Sequence, residues 1–211
     1  MNNGADMDEA AGMDAQDAAV ILREAGERAR RELRVRRPTL FVTWGLAFLI
    51  SYGAVWLSVR GQRPYAGPTS AAIVAITLVG AFALAVTVVL VGRAVTGVGG
   101  WSARQRRTLL LAFACGYAAV FALEGALFHA GASRPVIGVF GAAAPMLVIG
   151  LACAAASTIR LEWPVFGLGI WLIAAAAFGG FAGPVGVWAV GALAGGLAFL
   201  LMAAVGYAHS R

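Results

Sequence analysis

Lysine is absent from these 211 residues, and all 16 cations are arginine. With Ala, Gly and Val so abundant, this reads as codon usage in a GC-rich genome and carries no mechanistic weight. Histidine occurs twice, at His129 and His209, and cysteine twice, at Cys115 and Cys153. These four side chains lie too far apart in type and spacing to form a metal cluster. There is no HExxH, no phosphate-binding glycine loop with lysine and no nucleophile elbow. Beyond residue 38 the only acids are Glu124 and Glu162, so no pair of carboxyl groups is placed for acid/base work. The chain is therefore expected not to be an enzyme, with no catalytic residue, no metal and no cofactor.

What is present is apolar. Hydrophobic residues make up 61% of the chain and the mean hydropathy is +0.82. Soluble domains have about 45–50%. The excess falls in blocks long enough for a helix to cross about 30 Å of hydrocarbon. The blocks read as 39–59, 70–92, 108–129, 136–158, 165–181 and 184–206. The fifth is short and poorly separated from the sixth. They form a re-entrant pair or, the preferred reading, a tight hairpin turning at Gly179-Gly180-Phe181-Ala182-Gly183-Pro184. The first block starts too late and runs too long for a cleaved signal peptide. The ten-residue alternation of barrel strands is missing. The expected fold is an all-α membrane bundle of six transmembrane helices, over 39–207, with an N-terminal cytoplasmic amphipathic helix.

The arginines orient it. The tail, the 2–3 loop, the 4–5 loop and the C-terminus hold 13 of the 16; Arg60, Arg63 and Arg134 hold the other side. Six spans put both termini on the arginine-rich side, which is cytoplasmic in an inner membrane. Trp101 and Trp163 mark the inner boundary, and Trp56 and Tyr65 the outer. The sequence pI near 10.3 is then orientation charge, and no nucleic-acid partner is expected. Cys115 and Cys153 fall at inner-leaflet depth, facing a reducing compartment. They read as small packing residues, not as a disulfide.

Residues 1–13 lack periodicity and read as disordered. From 14 to 38 a juxtamembrane helix is expected. Asp14 and Asp17 suit its first turn and the arginines its last. Glu24–Arg28, Glu27–Arg31 and Glu32–Arg36 are i,i+4 pairs in the favourable order. Ala18, Leu22, Ala25, Ala29 and Leu33 make a narrow apolar stripe. Three readings stand: a solvated topology anchor, a helix whose Arg30, Arg31, Arg34, Arg36 and Arg37 contact the anionic inner leaflet, or a docking helix. The stripe is too short for a coiled coil alone.

Inside the spans one ionisable group stands out. Glu124 lies in the third span, five residues before His129. Buried acids in hydrocarbon mark a function or a strong partner. At similar depth fall Ser51, Tyr52 and Thr77, with His129, Arg134, Arg60 and Arg63 just above. One reading is an outward-facing pocket lined by these groups. The other is a structural pair of Glu124 with Arg134 or Arg60 that ties a loop to the bundle. His129 alone reads as a solvated helix end. Pro145 in the fourth span follows Gly141-Ala142-Ala143-Ala144 and is expected to kink it. Gly191 and Gly195 match GxxxG, and Ala118, Ala122 and Ala126 give a similar small face. In a chain with 28 glycines these read as ordinary helix packing.

Trp44-Gly45-Leu46-Ala47, Ser51-Tyr52-Gly53-Ala54-Val55-Trp56-Leu57-Ser58 and Gly61-Gln62-Arg63-Pro64-Tyr65-Ala66-Gly67-Pro68 resemble segments of a group of small six-span actinobacterial membrane proteins. Phe166-Gly167-Leu168-Gly169-Ile170-Trp171-Leu172 and Leu193-Ala194-Gly195-Gly196 are similar to the same group. The resemblance covers most of 18–206. It implies a bacterial cytoplasmic membrane location and no mechanism. The expected role is an accessory or binding component in the lipid bilayer, acting with a membrane or cytoplasmic protein partner or as a homo-oligomer. The alternative is a small transporter or substrate-capture subunit.

Overall fold

In hydrocarbon a backbone N–H has no water to turn to, so an apolar chain satisfies its own backbone by coiling into helices. The computed structural model describes residues 38–93, 101–160 and 162–208, with Val20 and Arg23 from the tail. No strand occurs among them. The proposed tail helix and its arginines Arg30, Arg31, Arg34, Arg36 and Arg37 lie outside the described residues.

Helix α1 covers Pro38–Val59, α2 Ser70–Arg93, α3 Trp101–His129, α4 Arg134–Arg160 and α5 Trp163–Gly179. A 3-10 turn, Gly180–Ala182, leads into α6, Gly183–Val190. A π-helical turn, Gly191–Gly195, joins α6 to α7, Gly196–Ala208. Proline stands at the first turn of both α5 and α6, where its missing N–H costs nothing.

Five helical stretches are long and apolar enough to cross a membrane, where six were expected. The fifth, Trp163–Ala208, holds both of the last two expected blocks in 46 residues. A straight helix of that length would reach about 69 Å, far more than a bilayer. It is not straight. Gly183 takes φ +77°, a conformation that favours glycine, and the chain turns there. Beyond the turn it packs back on α5, and Trp171 Nε1 donates to Ala194 O at 3.0 Å. That bond also feeds the π-helical turn, whose wider ring leaves the regular α ladder.

The core lies between α1, α4, α5 and the α6–α7 strand of chain. Val55, Val59, Met146, Leu172 and Val187 are fully buried there. Glycine lets the backbones approach. A Cβ on Gly169 would lie 2.6 Å from Ala154 N and 2.7 Å from Gly150 O. On the other side Gly191 and Gly195 receive the rings of Tyr52 and Phe48, and Gly45 meets Leu200. The GxxxG match therefore serves packing within the chain. Phe48 and Tyr52 stack at 5.1 Å, and Phe199 and Trp188 extend the aromatic column.

Helices α2 and α3 flank this core. Only 6% of the α2 and α3 span windows is buried, against 28–33% for the others. Phe82, Leu111, Phe121 and Phe128 point outward, as lipid-facing residues do. Trp44 Nε1 donates to Thr87 Oγ1 at 3.0 Å and ties α2 to α1.

Candidate functional site

The first half of α4 carries Gly138 and the run Gly141-Ala142-Ala143-Ala144, and three polar side chains from three other elements converge on it. Tyr65, from the loop after α1, lays its phenol over Gly138. Tyr52, from α1, donates its hydroxyl to Ala142 O at 2.9 Å. Glu124, from α3, rests on Gly141, where an added Cβ would sit 3.0 Å from Oε1. Larger residues at 138 and 141 would displace these side chains.

Pro145 lies one turn beyond Gly141. It has no N–H, so the Gly141 carbonyl loses its partner four residues on, and the ring crowds the same turn. A carbonyl left unbonded in an apolar bundle is costly. Tyr52 serves the neighbouring carbonyl of Ala142, and Glu124 lies on the turn of Gly141.

The sequence-predicted cluster is only partly assembled. Ser51 is buried beside Tyr52 on α1. Thr77 is exposed and bonds Ile73 O of its own helix at 2.8 Å. His129 is exposed at the end of α3. The expected arginine partners of Glu124 are engaged elsewhere. Arg134 Nη1 donates to Ala66 O at 3.0 Å, and the Arg60 guanidinium lies 5.5 Å from the Trp56 ring centroid. Backbone acceptors and an indole face at the helix ends satisfy them without reaching down to α3. Among the described residues Glu124 has no ion-pair partner.

The 1–2 loop is a shaped cap. Gln62 Nε2 donates to Ser58 O and Gly67 O, and its Oε1 accepts from Ala66 N and Gly67 N. Tyr65 Oη and Trp188 Nε1 are both buried under it without a hydrogen bond among the described residues. Burial raises the Tyr65 phenol above its ordinary value.

An apolar cleft of about 500 Å³ opens between the start of α4, the end of α5 and the start of α6. Its lining includes Val136, Val139, Phe140, Ala143, Ala176 and Pro184. None of the expected polar residues lines it, so it is not the pocket around Glu124 that the sequence suggested. Among the described residues no group of His, Cys, Asp and Glu could hold a metal. Cys115 and Cys153 are free thiols.

Gly138, Gly141, Tyr65 and Trp188 were missed as members of the site. One signal was readable: the proline at 145 leaves free the carbonyl of the glycine four residues before it. Which side chain would answer that carbonyl was not readable. No protein-family model, curated protein or solved structure matches the chain.

Proposed function

We propose that this is a non-enzymatic, multi-pass protein of the bacterial cytoplasmic membrane that works as a binding component for a membrane partner. In this reading the chain crosses six times, with α5 and α6–α7 as separate crossings and both termini in the cytoplasm. The turn at Gly183 and the Trp171 bond across it support two crossings, and the arginine distribution supports the orientation. The location agrees with the resemblance to small actinobacterial six-span proteins.

The observation that carries the binding role is Glu124. It is a half-buried carboxyl group in a membrane span with no counter-charge among the described residues. Such groups mark functional positions. It sits at the seam between α4 and the sparsely packed α3, where a partner helix can reach it. A cationic or hydrogen-bond-donating side chain from that helix would complete the site. A substrate-capture role has less support, because the apolar cleft lies away from Glu124.

The test is affinity purification of the full chain in mild detergent. A partner should co-elute with the wild type and be lost from Glu124→Gln, whose own thermal stability should hold or rise as a desolvated charge is removed. Retention of the partner together with a drop in stability would assign Glu124 a structural role and overturn the proposal.

A further inference from the structure

Along α4, Arg134, Gly138 and Gly141 fall at i, i+4 and i+7 and share one face. Three neighbours meet that face in order. Arg134 Nη1 reaches Ala66 O, Tyr65 lies over Gly138, and Glu124 lies over Gly141. The 1–2 loop and Glu124 are therefore on the same side of the bundle, with the loop nearer the start of α4. Arg63 stands two residues before Tyr65, so the two Cα atoms lie within about 7 Å of each other. The Arg63 side chain is exposed, and among the described residues nothing bonds it.

One side of the molecule thus carries a cation and an acid, each without a counter-charge among the described residues. They do not pair within the chain, where the Tyr65 ring covers Gly138, one turn from Gly141. Phe121 and Phe128, at i−3 and i+4 from Glu124, are 64% and 70% exposed. They border the carboxyl group with open apolar surface on the same side of α3.

We infer that the partner completing the Glu124 site is a second copy of this chain, with Arg63 of each copy paired to Glu124 of the other. A face bearing both charges is complementary to itself under a two-fold axis. Two copies inserted the same way hold their loops and their Glu124 side chains at matching depths, so that axis runs along the membrane normal. The rise from Gly141 to Gly138 is about 4.5 Å. An arginine stem covers such a step by lying on apolar surface while its head meets the acid. Its fork fits a carboxylate with two parallel hydrogen bonds. A partner that brought only a cation would answer Glu124 and leave Arg63 unmatched. The inference rests on the reading of Glu124 as a partner-binding group.

The experiment measures dimer dissociation of the full chain in detergent, by Förster transfer between copies carrying different fluorophores at the C-terminus. Arg63→Gln and Glu124→Gln each break both pairs and should weaken the dimer about a hundredfold, at about tenfold for each charge-assisted contact. The double variant should match either single one, since the second change removes nothing more. A mixture of the two single variants restores one pair and should associate about tenfold more tightly than either alone. Arg60→Gln, at the same end of the bundle but over Trp56, should dimerise like the wild type. Monodisperse elution and unchanged helical circular dichroism report that each variant is folded. A monomeric wild type, an unchanged dimer in Arg63→Gln, multiplied losses in the double variant, no gain on mixing, or an equal loss in Arg60→Gln would overturn the pairing. If a different protein still co-elutes with the wild type and is lost from Glu124→Gln, the binding role of Glu124 stands and the second copy falls. If Glu124→Gln loses stability and no partner of either kind, the binding role falls with it.

Discussion

At the scale of single residues part of the polar chemistry of this protein lies beside one proline. Pro145 withdraws a donor from α4, and side chains from elsewhere gather on the affected turn. Tyr52 can be tested directly. Tyr52→Phe keeps the ring that packs on Gly191 and Phe48 but removes the donor to Ala142 O. Ala142 O keeps its helical bond, so the loss is that of one buried hydrogen bond, about 0.5–1.5 kcal/mol. The variant should melt below the wild type in detergent, while a surface hydroxyl deletion such as Thr77→Val should not. Equal melting temperatures for wild type and Tyr52→Phe would mean that the Tyr52 hydroxyl bond adds nothing to stability. Residue types were legible in the sequence, and Glu124 stood out as the lone acid in a span. Its neighbour was not. Charge complementarity suggested Arg134 or Arg60, but an arginine at a helix end has nearer acceptors. Ala66 O and the Trp56 face claimed them.

At the scale of helices the long apolar blocks were legible because hydrocarbon leaves the backbone only helices or closed barrels, and the alternation of barrel strands is missing. The pairing of helices was not legible. The blocks are apolar on all sides, so periodicity does not say which face meets which neighbour. Backbone proximity shows it instead. Gly150 and Gly169 form a close approach between α4 and α5, where added side-chain atoms would meet backbone. Gly169→Ala should therefore force the helices apart, at a cost of about 1–3 kcal/mol or more. Gly53→Ala, with nothing within 4 Å of the new methyl, should be neutral or slightly stabilising. Thermal unfolding of the two variants side by side checks this. A Gly169→Ala protein as stable as Gly53→Ala would mean that α4 and α5 are less closely packed than the geometry requires.

At the scale of the whole molecule the open question is how a chain with five long apolar stretches is threaded. The break at Gly183 makes the last stretch two limbs, and the exposed tip between them carries Phe181. In the proposed six-span thread 13 of the 16 arginines flank one face, and that imbalance is what sets the sides in this proposal. The structure also selects the reporter positions. Gln62 is unsuitable because its side chain shapes the 1–2 loop. Gly61 is exposed with nothing within 4 Å, and Ser133 is exposed between α3 and α4. In a Cys115→Ala, Cys153→Ala background, cysteine placed at 61, 133 or 181 should react with a membrane-impermeant maleimide added to intact cells. Cysteine placed at 29, 105 or 210 should react only after the cells are opened. Reaction at 61 and 133 but not at 181 would make the last two limbs a re-entrant pair. Reaction at 29 and 105 in intact cells would invert the thread, and with it the reading of the arginines as the residues that set orientation.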